Sequence, residues 1–216
     1  MVSEGAKVFP GTLSPGATSS DILSGDAAAV MSGEVDPDAE RSSEGKSGLP
    51  ELQPYALSID VILQSDRWSE LADVEELAAR AINAALMRAD IALVVGAEIC
   101  VSLADDAAVR VLNAEWRGLD KPTNVLSFPA VEPDELEYAP HIGDIILAYE
   151  TVEREARDDG KTFADHTTHL IIHGILHLLG FDHETDEEAQ EMEALEIAAL
   201  ADLGIADPYA DFELET

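Results

Sequence analysis

One cysteine in 216 residues excludes an intrachain disulfide framework. Cys100 lies in the apolar run EICVSLA, where it reads as a small core residue rather than a nucleophile. Basic side chains are scarce too: 12 Lys and Arg stand against 45 Asp and Glu, a formal charge of −33. Binding to phosphates draws its affinity from Lys and Arg. Tight non-specific RNA binding is therefore not expected, nor is DNA as a partner, and any nucleic-acid contact must be local or assisted by a partner. Long apolar runs are also missing. No stretch approaches the roughly 20 residues that span a bilayer, and the first twenty residues show no basic segment followed by an apolar one. The expectation is a cytoplasmic chain with no membrane association.

The charge is unevenly spread. Residues 1–54 carry nine acidic and three basic side chains, and residues 184–216 carry twelve acidic and none basic. The ends thus hold −18 and the middle −15. Residues 1–54 are rich in Gly, Ser, Ala, Pro and acidic types without sustained apolar periodicity, the composition of a segment that buries too little to order itself. The expected organisation is a disordered acidic extension over 1–54, a folded domain over 55–204 and an acidic tail over 205–216.

Within the domain the periodicity alternates between strand and helix. Leu57 to Leu63 alternates as a strand, Asp73–Arg88 has helical spacing, and Ala97–Ala104 reads as a second strand. Residues 105–118 read as a helix stopped at Gly118, and KPTNVLSFP (121–129) as a turn entering a short strand. GDIILAYE (143–150) is the most strand-like run, followed by a helix from Thr151 to Gly160, another from Phe163, and a last one from Asp186 to Leu203, capped by Gly204. The fold class is α/β (α+β), a small mixed sheet packed with helices.

The chemistry concentrates in HGILHLLGFDH (173–183). His173 and His177, four residues apart on a helix, share one face at about 5–6 Å between Cβ atoms. On a continuing helix His183 would lie roughly 9 Å beyond His177. Gly180, suited to a left-handed C-cap, ends the helix and lets Phe181, Asp182 and His183 turn back. Three imidazoles with a fourth position open are the pattern of a catalytic zinc, one ion per chain, although nickel, copper and iron also suit such ligands. The spacing matches that of metzincin peptidases, but their general base, a Glu directly after the first His, is Gly174 here. A metzincin-like metallopeptidase is therefore a rival reading with its base missing. Gly174 reads equally well as a close-packing position.

Three stretches, LNAEWRGLDKPTNVLSFP (112–129), HIGDIILA (141–148) and HGILHLLGFDH (173–183), together resemble the bacterial YbeY family of metal-dependent endoribonucleases, also called ribosomal RNA maturation factors. The resemblance runs from about Tyr55 to Leu203. It implies a metal-binding helix at the centre of the fold, zinc on His173, His177 and His183, and cleavage of single-stranded ribosomal RNA precursor near the 3′ end of the small-subunit (16S) RNA. Ribosome quality control is a related role, with the small subunit or its proteins as partner. It also marks Arg117 as catalytic, and a guanidinium offers a phosphate a rigid fork of donors. Lys121 and Thr123 could add phosphate contacts, or KPT is simply a turn. The family commonly has Asp where this chain has Asn124, which keeps the shape and loses the charge. Asp144, at a strand start, could orient a ligating imidazole through its second nitrogen or cap a turn. His169, one turn before His173, is expected to support the site rather than ligate, and Asp182 to help the turn after Gly180. His166, His141 and Met192 are expected to be solvated or core residues. The remaining alternative is a non-enzymatic ribosome-assembly factor stabilised by zinc.

Overall fold

The computed structural model describes residues 57–210; the expected extension over 1–54 lies outside them. Four strands form one mixed sheet in the order β1-β2-β4-β3. β1 (Ser58–Leu63), β2 (Glu98–Ala104) and β4 (His141–Ala148) are parallel, and β3 (Val125–Pro129) is antiparallel to β4 and forms an edge. β2 and β4 are the inner strands and are covered on both sides, which is why EICVSLA and HIGDIILA read as nearly continuous apolar runs.

Among the described residues five α-helices accompany the sheet: α1 (Val74–Ala89), α2 (Asp106–Arg117), α3 (Tyr149–Asp158), α4 (Phe163–Leu178) and α5 (Asp186–Asp202). The alternation of the strands sorts them into two cores. Ile99, Val101, Leu103, Val125, Ile145 and Leu147 face one way and pack with buried residues of α1, α4 and α5. Ala104, Leu126, Phe128, Ile146 and Ala148 face the other and meet Val109, Leu112 and Trp116 of α2. Eleven of the sixteen residues of α4 are buried, so this helix is enclosed nearly all round, as its dense apolar run requires. It is the central helix of the fold.

Strand β4 begins two residues earlier than its composition suggests. Glu98 pairs with His141, and a register shift follows before Ile99 meets Gly143. Tyr149 and Glu150, expected at the strand's end, instead open α3. The Tyr149 ring stands edge-on to Trp68 and Phe163, at 5.4 and 5.1 Å between centroids, and the Glu150 carboxylate accepts the Asp106 N–H at 2.9 Å. Three helix starts are capped by side chains: Asp105 accepts from Ala108 N–H, Thr162 from Asp165 N–H, and Thr185 forms a reciprocal box with Glu188. No helix among the described residues is long and apolar enough to cross a membrane.

Candidate metal centre

The end of α4 builds the site. Leu179 keeps helical geometry, and Gly180 follows at φ +92°. Gly180 N–H donates to His177 C=O at 3.1 Å and Phe181 N–H to Leu176 C=O at 3.0 Å. This pair of bonds is the Schellman arrangement, which reverses the chain after the helix. Position 180 admits no side chain: a Cβ would lie 2.4 Å from Cγ of Pro133. Asp182 Oδ1 then accepts the His183 N–H at 2.8 Å and tightens the return.

The turn brings His183 over the helix. Its ring stacks on that of His173 with centroids 5.4 Å apart, and lies 5.1 Å from that of His177. One ring nitrogen from each of His173, His177 and His183 lies within 4.8 Å of the others. Two of the rings have their protons assigned by their partners. His177 Nδ1 faces Phe181 C=O at 3.0 Å, and a carbonyl only accepts, so Nδ1 carries the proton and Nε2 the lone pair. His173 Nδ1 donates to a Glu196 carboxylate oxygen at 2.7 Å, so its Nε2 is the nitrogen turned toward His177. The two Nε2 atoms are 3.1 Å apart. With both Nδ1 atoms engaged, the two Nε2 atoms are the nitrogens left to meet a cation between the rings. Nitrogens each about 2.0–2.1 Å from one tetrahedral zinc would stand at a similar separation. Burial pushes the His177 imidazole down to about 3, with the neighbouring His173 and His183 adding to the effect. The ring is therefore neutral, the form that ligates metals.

Glu196, on α5, is the residue that sequence reasoning missed. It is 1% exposed and accepts from His173 Nδ1 through Oε1 and from His169 Nε2 through Oε2 at 2.8 Å. Burial alone would raise its carboxyl, but the two imidazoles outweigh that and hold it well below the usual carboxylate range. A carboxylate behind a ligating histidine fixes the ring and strengthens its donation. That role was expected of Asp144, which instead stands 3.5 Å from His141. A signal for Glu196 existed: Met192, Leu195, Glu196, Ala199 and Leu200 fall on one stripe of the helix, so a charge sits on the buried face. Burial, chiefly, pushes the His169 imidazole below its ordinary value.

The remaining candidates lie elsewhere. Gly174 points into the sheet rather than toward the histidines: a Cβ there would lie 2.9 Å from Cγ2 of Ile145 and 3.2 Å from Ser127 Oγ. Ser127 Oγ also donates to the Gly174 carbonyl at 3.1 Å. The glycine is a close-packing position, and no side chain at 174 could serve as a peptidase base. Arg117 ends α2, half-buried, across the sheet from α4. Trp116 packs on Phe128 at 5.8 Å, the strand neighbour of Ser127. Lys121 is exposed, and its C=O accepts from Asn113 Nδ2 at 2.7 Å. The Thr123 hydroxyl donates to Asn124 Oδ1 at 3.4 Å. Asn124 is buried, and its Nδ2 donates to Glu155 Oε2 at 3.0 Å, the same oxygen that His166 Nε2 meets at 3.1 Å. His166 and Met192 are buried, and Cys100 is half-buried.

A mixed α/β sheet with three imidazoles converging at the end of its central helix, one of them backed by a buried carboxylate, defines a domain whose three histidines could hold a metal ion. The chain belongs to the Endoribonuclease YbeY family, whose model matches residues 62–204. Relatives named Endoribonuclease YbeY include one from Bradyrhizobium sp. (strain BTAi1), 54% identical over 71% of this chain and 93% of its own length. Another, from Azorhizobium caulinodans, is 54% identical over 71% of this chain and 97% of its own. The solution structure of TM1509 from Thermotoga maritima matches 68% of this chain and 91% of that one at 27% identity, with a TM-score of 0.45.

Proposed function

We propose that this protein is a metal-dependent endoribonuclease that cuts single-stranded ribosomal RNA precursor in the cytoplasm, in maturation of the 3′ end of small-subunit RNA and in ribosome quality control. The observation that carries the reading is the pair of Nε2 atoms 3.1 Å apart on His173 and His177, with His183 folded over them. The family name supports RNA as the substrate. A divalent ion on these three nitrogens, zinc in our reading, supplies Lewis-acid stabilisation of a phosphoryl oxygen and lowers the pKa of water.

The chain's own residues do the rest. Glu196 and the Phe181 carbonyl fix the tautomers of His173 and His177. Arg117 holds the scissile phosphate and stabilises charge developing on it, with Lys121 and Thr123 adding contacts along the backbone. With a formal charge of −33, the enzyme depends on ribosomal proteins or the small subunit to hold the RNA.

The test is cleavage of a labelled single-stranded RNA with and without chelator, comparing the wild type with Arg117→Ala and His177→Ala. Loss of cutting with chelator and in both variants is expected. Equal cutting by all three proteins would identify a contaminating nuclease and remove the basis for the proposal.

A further inference from the structure

The carboxylate of Glu196 has a third neighbour. The Tyr209 hydroxyl donates to its Oε2, the oxygen already met by His169, and also lies 3.4 Å from His169 Nε2. The Tyr209 ring stands edge-on to that of His169, with centroids 5.7 Å apart. Tyr209 comes from the stretch expected to be a mere acidic tail, and the chain delivers it by specific contacts. After α5, Ile205 N–H donates back to Leu200 C=O at 2.9 Å, and Ile205 packs on the core. Lys161 Nζ then reaches the Pro208 carbonyl at 3.4 Å. The Tyr209 N–H donates to Asp207 Oδ1 at 2.8 Å.

A buried carboxylate must have its oxygens paired, and rotation about its terminal torsion is soft. With one donor on each oxygen, the carboxylate of Glu196 still twists about that torsion and loosens its hold on His173. A further donor on the oxygen that faces His169 restricts that twist and keeps the other oxygen on His173. We propose that Tyr209 is a positioning residue for the metal centre. Its hydroxyl holds Oε2 of Glu196 so that Oε1 stays on the Nδ1–H of His173 and the Nε2 of that ring stays aimed at the ion. The segment 205–209 is thus a strap that tunes how tightly the three histidines hold metal. The inference rests on the reading of those histidines as a metal site.

The test uses the full chain as wild type, Tyr209→Phe, Glu196→Gln and the double variant. Zn²⁺ affinity is measured by competition with a chromophoric chelator, and the site geometry by the visible absorption of bound Co²⁺. Tyr209→Phe should weaken Zn²⁺ binding about tenfold and shift the Co²⁺ bands, and Glu196→Gln should weaken it by about 10–100-fold, as loss of a ligand's outer partner typically does. In the Glu196→Gln background the tyrosine change should add nothing. Wild-type affinity and an unchanged Co²⁺ spectrum in Tyr209→Phe, or full additivity in the double variant, would overturn the role of Tyr209. A wild-type chain that binds neither ion would instead overturn the metal reading beneath it.

Discussion

Replacing Gly180 with alanine attacks the turn that makes the site. The backbone there is at φ +92°, and a side chain in left-handed geometry costs roughly 1–2 kcal/mol. The added methyl would also lie 2.4 Å from Pro133 Cγ and 3.0 Å from its Cβ. Both atoms belong to a ring that cannot swing aside, and overpacking of this kind costs about 1–3 kcal/mol. The metal-free domain should therefore lose about 2–5 kcal/mol, measured by urea unfolding in chelator. The same shift moves the Phe181 carbonyl off His177 and carries His183 away from the other rings. Stability in metal reports this separately, because a ligand adds RT ln(1 + [L]/Kd). At a free Zn²⁺ concentration 100 times the wild-type Kd, the wild type gains about 2.7 kcal/mol. A variant whose affinity has fallen 100-fold gains only about 0.4 kcal/mol by the same relation. If Gly180→Ala unfolds within 1 kcal/mol of the wild type and keeps its full metal increment, the turn does not assemble the ligands and the reasoning fails.

Acid should destabilise the metal-free domain. The unfolded His177 takes a proton near its ordinary pKa of 6.5 and the folded one only at about 3, so unfolding takes up a proton between those values. Stability should then fall by about 1 kcal/mol per pH unit as pH drops through that window, with Glu196 adding loss of the same sign below the usual carboxylate range. Thermal midpoints in chelator at pH 7.5, 6 and 5 measure this, and a flat or rising trend on acidification would contradict it. Asn124→Asp should set a second carboxylate against Glu155 in place of an amide donor at 3.0 Å, costing about 1–3 kcal/mol at pH 7.5. That loss should shrink as pH falls and the pair takes up a proton, so urea unfolding that shows a pH-independent cost would argue against the contact. Arg117→Ala should lower single-turnover RNA cleavage by about 100-fold with Zn²⁺ affinity unchanged; a loss of metal affinity would mean that the arginine supports the fold of the site instead.

The part of the centre that could be read from residue order is the part built locally. His173, His177, Gly180 and His183 lie within eleven consecutive residues, and helix geometry plus one glycine fixes their relation. The class of fold followed from the alternating periods, and the burial of α4 from its unbroken apolar run. What escaped is set by contacts distant in the chain. Glu196 lies 23 residues from His173, in a helix whose many carboxylates mask the single inward-facing one, and Tyr209 reaches it only because the chain doubles back after α5. The early start of β4 depends on the partner that His141 finds in Glu98, and the side of the sheet that α2 covers depends on a crossover that no local pattern encodes.

The flush seating of α4 on β4 at Gly174 has a bearing on redesign. Turning this scaffold toward peptide bonds by grafting in a glutamate at 174 would drive its side chain into Ile145 and never toward the three histidines. An engineered proton acceptor would have to be recruited from another segment of the chain, so the packing of one glycine narrows the chemistries open to the centre as firmly as the choice of its ligands.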